Sequence, residues 1–303
     1  MDELLAATFR FATPLAFTAL GGVLSERSGV FNIALEGSLL CGAFGAAIGL
    51  SYWDSVMTGF LFGVSTGICT GTLLALMTVT LGANQFVSGI AVNMLCFGLT
   101  SFFARILGDE LSKSSERSLG SVGSDSFHAI PILGSRILWE NSMVFLAIGF
   151  AILFTIALRK TRTGMHIRAV GENQKAADSA GIPVNGVRFF CVLFSCVLAS
   201  IGGCQLVLGQ VHMFTENMTA GRGFIALAAV IIGRRTFWGA GFACLLFALC
   251  EVVELRLQFY SEHIPYQIFT MLPYILALVV LVSFARPTQA ADDVGQVFVR
   301  TSK

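Results

Sequence analysis

Apolar residues in this chain arrive in blocks of roughly 17–25, and that block length constrains the fold more than any other feature. A helix of such length covers about 30 Å of hydrocarbon, whereas a membrane strand needs about ten residues of alternating polarity, which the sequence does not offer. The blocks fall at 4–24, 30–50, 56–81, 84–107, 139–158, 187–209, 223–233, 238–258 and 267–285. With 55% hydrophobic and 12% charged residues among 303, the chain is more apolar than a soluble core requires. It is therefore expected to be an all-α polytopic membrane protein with about 8–10 transmembrane helices. The block at 223–233 has only 11 residues, about 16 Å of helical rise, and reads as a half-helix or re-entrant element enclosed by protein. The start, MDELLAATFR, has neither a basic region nor a cleavage site, so the first block is expected to remain as a span.

Orientation follows from the basic residues. Arg159, Lys160, Arg162 and Arg168 cluster after one span, and Arg234 and Arg235 after another, which places both segments in the cytoplasm. The chain then reads as one transmembrane domain over 1–285, with a cytoplasmic loop at 159–186, an extracytoplasmic loop at 108–141 and a cytoplasmic tail at 286–303. The N-terminus falls outside. A net charge of +1 gives no reason to expect nucleic acid. The eight cysteines are scattered through apolar blocks without CxxC spacing and are expected to pack as small residues.

Within the third block, Gly59, Gly63, Gly67 and Gly71 recur every four residues and form a smooth ridge suited to a close helix neighbour. The overlapping GVSTG string has no strand-to-helix turn and no His or Asp partner, so it is not a nucleophile elbow. Polar residues inside the spans need a reason because they are costly there. Asn32 and Glu36 lie four apart on one face, and Gln85, Ser88 and Asn93 share a stripe of the fourth span. Gln210 and Asn217 fall at an outer edge before the short block. Glu36 is either a pathway-lining group, a structural carboxylate held by a neighbouring helix, or one close enough to the cytoplasmic face to be hydrated. There is no GxxxxGK[ST] phosphate loop, no HExxH and no catalytic constellation. No cofactor is expected on this chain.

In GENQKAADSAGIP, Gly171–Pro183, Asn173 is suited to cap a helix of about two turns that Gly181 stops and Pro183 prevents from continuing. Ala176, Ala177 and Ala180 are expected to share a face with Asn173. An alanine face suits a groove on another protein; the alternative is a helix resting on the bilayer.

The same stretch resembles the coupling-helix segment of bacterial ABC importer permeases of the ribose and branched-chain amino acid type. ALGGVLSERSGVFNIALEG (19–37), ANQFVSGIAVNML (83–95), LGQVHMFTENMTAGRGFIALAAVIIGR (208–234) and LPYILALVVLV (272–282) resemble the simple-sugar/nucleoside branch, the permeases that accompany basic-membrane-protein-type lipoprotein receptors. The resemblance implies a type II-like importer built from two homologous permease subunits, more often different than identical. It also implies two ATPases that bind ATP and Mg, and an extracytoplasmic substrate-binding lipoprotein. It carries the ATPase-coupling role to Gly171, Glu172, Asn173, Ala176, Ala177, Ala180 and Gly181. The substrate is expected to be a nucleoside, with a ribose- or galactose-type sugar as the alternative. From polarity and placement, Asn32, Glu36, Gln85, Asn93, Gln210 and Asn217 are expected along the substrate pathway. An ion-coupled secondary transporter would need inverted repeats and further buried carboxylates, which the sequence does not show.

Overall fold

A computed structural model describes residues 2–108 and 142–260, with single positions between 271 and 282. The described residues are helical and contain no strand. The order is α1 (Asp2–Arg27), α2 (Leu35–Trp53), α3 (Val56–Ala75), α4 (Gln85–Ile106), α5 (Ser142–Lys160), α6 (Arg162–Glu172), α7 (Gln174–Ser179), α8 (Val184–Leu206), α9 (Arg222–Ile232) and α10 (Phe237–Tyr260). A π-helical turn extends α3 over Leu76–Thr80 and another extends α8 over Val207–Val211. Among the described residues six helices are long and apolar enough to cross a membrane, and α9 is the short apolar element that the 223–233 block announces. The block at 238–258 forms α10. Nearly all of the loop at 108–141, most of the last block, and the tail lie outside the described residues.

Helices α2 and α8 form the centre. In each, 83% of the apolar span is buried, against 28%, 33% and 22% for α3, α4 and α5, whose outer faces are left for lipid or other subunits. Helix α8 touches α1, α2 and α3; α4 covers α2, and α1 carries α9 and α10 on its other side. The glycine ridge of α3 is what brings this centre together. A Cβ on Gly63 would lie 2.2 Å from the Cys204 sulfur of α8, and one on Gly67 would lie 2.5 Å from Ser200 Cβ. Gly203 of α8 lies against α2 with the same intimacy, 2.0 Å from a would-be Cβ to the Leu39 carbonyl oxygen. Because water gives no drive for helices to associate within lipid, such close approach supplies the contact that holds them. Ser200 Oγ at this crossing donates to the carbonyls of Ser38 and Gly63 at 3.2 and 3.0 Å.

Helix ends assigned to one side of the membrane by charge also meet in space. At the basic end, Arg27 Nε donates to the Arg235 carbonyl at 2.8 Å and Arg235 pairs with Glu26 at 3.2 Å. At the other end, Arg105 pairs with Glu216 at 3.1 Å and Arg256 lies 4.0 Å from Glu3. The twin arginines form an abrupt corner, since Arg234 and Arg235 both take left-handed conformations (φ 53° and 55°) between α9 and α10. Thr236 then starts α10 by accepting the Gly239 N–H at 3.2 Å.

Gly203→Ala is expected to reduce membrane yield and to lower stability by about 1–3 kcal/mol or more, as overpacking against rigid backbone does. Gly149→Ala, where a Cβ meets nothing within 4 Å, is expected to be neutral. Thermal melting of the two variants in detergent checks this contrast.

Candidate functional site

At the basic end, α5 turns sharply into α6. Gly164 makes the turn possible, since a Cβ there would lie 2.2 Å from the Ala157 carbonyl oxygen, and Thr161 caps α6 by accepting the Gly164 N–H at 3.1 Å. The sequence reading has no separate helix here, only a basic loop. Asn173 ends α6 and caps α7: its backbone is extended (φ −152°, ψ 107°) and its Oδ1 accepts the Ala176 N–H at 2.9 Å. The stop is a Schellman motif. Gly181 takes φ +81° and donates to Asp178 O at 2.9 Å, while Ile182 donates to Ala177 O at 3.0 Å.

Burial corrects the expected face of α7. Ala177 is 3% exposed and packs with Val170 and Val184 in a small cluster under the helix. Gly171 is buried too, because a Cβ would lie 2.1 Å from the Arg27 carbonyl oxygen. These two positions fasten α7 to the bundle. Glu172, Asn173, Ala176, Ala180 and Gly181 are exposed, together with Lys175 and Ser179, and they make up the outward surface. The physical reason is that the valines flanking a two-turn helix draw its middle alanine inward, which divides the alanines between two faces.

The polar residues within the spans have a different purpose. Residues 28–34 are irregular yet mostly buried, a combination that hydrocarbon tolerates only if each backbone group finds a partner. Gln85 Oε1 accepts the Phe31 N–H at 2.9 Å. Asn93 donates to Ile33 O at 2.9 Å and accepts the Gly37 N–H at 2.8 Å. Asn32 accepts the Ala34 N–H at 2.9 Å and donates to Ser195 Oγ at 2.9 Å. Arg188, only 2% exposed, donates to the carbonyls of Ser28 and Gly29, both at 3.3 Å. A cation at the end of α1 also suits the negative end of its dipole.

Glu36 performs the same service for α9. It is fully buried, and its carboxylate accepts from Thr219 Oγ1 at 2.6 Å, the Gly221 N–H at 2.9 Å and the Gly223 N–H. The last two are amides at the start of α9, so a carboxylate from α2 caps a helix begun within the bundle. The approach requires Gly223, where a Cβ would lie 2.5 Å from Glu36 Cα. Arg222, next in line, pairs with Glu251 of α10, with Nε–Oε1 at 3.1 Å, and lies over the Phe11 ring at 5.7 Å. Four of the six expected pathway residues, Asn32, Glu36, Gln85 and Asn93, are thus buried and hydrogen-bonded within the chain in this conformation. Gln210 donates to Arg10 O at 2.6 Å, and Asn217 is exposed with φ 56°. Arg188, Thr219 and Arg222 escape the sequence reading, although GRG at 221–223 stands beside the half-helix and marks its start.

Glu36→Ala should leave the Gly221 and Gly223 amides without their acceptor, at about 1–3 kcal/mol for each orphaned group. Hydrogen exchange at those two amides should accelerate and the melting temperature should fall, with Glu36→Gln intermediate because it keeps one acceptor oxygen.

Comparison with known proteins agrees with this architecture. Residues 4–282 match the family described as "Branched-chain amino acid transport system / permease component". The chain is 35% identical to the nucleoside ABC transporter permease protein NupC of Lactococcus lactis, over 96% of this chain and 95% of that one. It is 32% identical to the guanosine ABC transporter permease protein NupQ of Bacillus subtilis, over 99% and 97%. Among solved structures, a metal-chelate type ABC transporter in an inward-facing conformation shares the fold, with TM-score 0.53, 17% identity, and coverage of 92% of this chain and 85% of that chain. The chain is a multi-pass membrane protein and belongs to the branched-chain amino acid transport system / permease component family.

Proposed function

We propose that this chain is the transmembrane permease subunit of an ATP-driven importer of nucleosides in the bacterial inner membrane. A separate ATPase, carrying ATP and Mg, would drive it through α7. The observation that carries the coupling role is the mounting of α7: capped at both ends, fastened by Ala177 and by Gly171 on the Arg27 carbonyl, and offering Ala176 and Ala180 outward. A force applied to α7 would pass to the end of α1, which packs against the centre of the bundle, and to the start of α8, which is part of that centre. For this to switch the protein between two states, the ATPase must grip α7 differently in each.

The nucleoside assignment rests on the names of NupC and NupQ, which match the chain along almost its whole length. A second permease subunit, a paralogue of this chain, and an extracytoplasmic substrate-binding lipoprotein would complete the complex, as the sequence resemblance implies. The outer faces of α3 and α4 carry Met57, Leu61, Phe86, Val87 and Met94 exposed, apolar surface that lipid or a second permease subunit would cover.

Radiolabelled guanosine, uridine and ribose uptake by cells expressing the complete transporter tests the reading, using Ala176→Trp in place of any change at the buried Ala177. Nucleoside uptake is expected in the parent and a loss of at least about tenfold in the variant, with the membrane level of the chain unchanged. Ribose uptake in place of nucleoside would transfer the assignment to sugars, and normal transport by Ala176→Trp would remove α7 from the coupling path.

A further inference from the structure

Two cavities share Phe237 and Trp238 as wall residues, and their linings are opposite in character. One, of about 240 Å³, opens at the basic end and is walled by Arg27, Arg159, Arg168 and Arg235. The other, of about 210 Å³, runs between α1, α5 and α10 and is walled by residues such as Ala12, Ala16, Ala147 and Gly241. Its one hydroxyl, on Thr13, is occupied by the Phe9 carbonyl at 2.8 Å.

The arginines are not balanced by the carboxylates around them. Burial weighs most against the charge on Arg27; Arg168, Arg235 and Arg159 repel it, and Glu172 attracts it. Glu26 pairs with Arg235 through Oε2 alone, and both its Oε1 and Arg168 Nε are buried without a hydrogen-bond partner. A cavity with this charge favours an anion, and guanidinium groups match phosphate oxygens well. Its depth is fixed by Arg27 at the end of α1, Arg159 near the end of α5 and Arg235 just before α10, all at the basic boundary of the spans. Trp238, half exposed in the wall common to both cavities, stands where interfacial aromatic residues are favoured. A free anion would occupy only the charged mouth and leave the adjoining slot empty.

We propose that the two cavities together hold one anionic phospholipid from the leaflet on the basic side, with its phosphate among Arg27, Arg159 and Arg168 and one acyl chain in the slot beyond Trp238. The lipid neutralises mutually repelling arginines at the point where α1, α5, α6 and the α9–α10 corner converge, and so ties α5 to α1 and α10, against which it packs only lightly.

Native mass spectrometry of the intact transport complex, titrated with phosphatidylglycerol and phosphatidylcholine of identical chains, tests the site. Phosphatidylglycerol should be retained at least about tenfold more strongly. Arg168→Gln should reduce that preference about fivefold, the effect of one basic group near a phosphate, and Arg168→Lys should restore it. Gly241→Phe, where no neighbouring atom lies within 4 Å of a Cβ, should fill the slot and abolish retention of both lipids without altering melting of the delipidated complex. Equal retention of the two lipids, or no effect of Arg168→Gln, would overturn the proposal. So would displacement by inorganic phosphate that is unchanged in Gly241→Phe, since this would mark a site for free anions.

Discussion

Glu36 and the start of α9 show the constraint on which the rest of the structure depends: backbone amides surrounded by apolar protein need acceptors, and water cannot supply them. A half-helix begun inside the bundle leaves its first amides without intrahelical acceptors amid buried protein. A carboxylate 185 residues away in sequence answers that need, and Gly223 permits its approach. Residues 28–34 present the same problem, and Gln85, Asn93, Asn32 and Arg188 answer it. The pattern SERSGVFNIALEG together with ENMTAGRGF therefore encodes two breaks in helical structure and part of the polar equipment that seals them.

These breaks join mechanically at the basic end. Arg188 holds the carbonyls where α1 ends, Gly171 rests on the Arg27 carbonyl, and Arg27 in turn reaches Arg235 at the far end of α9. Helix α7 is thus linked by direct contacts to α8 and, through the end of α6, to α1 and the α9–α10 corner. The left-handed pair Arg234 and Arg235 makes this corner short, and Glu26 fixes it by pairing with Arg235.

Much of the architecture was legible in the sequence because it follows from local physics. Block lengths gave the spans, the four-residue spacing gave the α3 ridge, and Asn173, Gly181 and Pro183 marked the limits of α7. The residues whose partners are distant were harder to place. Glu36 as a structural carboxylate and Glu36 as a pathway group look alike until α9 is set against it, and the stripe of Gln85 and Asn93 carries no mark that it serves the Phe31, Ile33 and Gly37 backbone. The inward turn of Ala177 has a local signal in Val170 and Val184, but a two-turn helix is too short for periodicity to separate its faces. Helix α6 was obscured by its basic composition, which reads as a solvated loop.

The most direct test of the account is site-directed cross-linking from the exposed residue Ser179 on α7. In inside-out vesicles holding the complete transporter, with the native cysteines replaced, Ser179→Cys should cross-link to the ATPase subunit. The yield should change between nucleotide-free and ATP-bound states. Cross-linking that is absent, or the same in both states, would contradict the claim that α7 is the element through which ATP binding moves this chain.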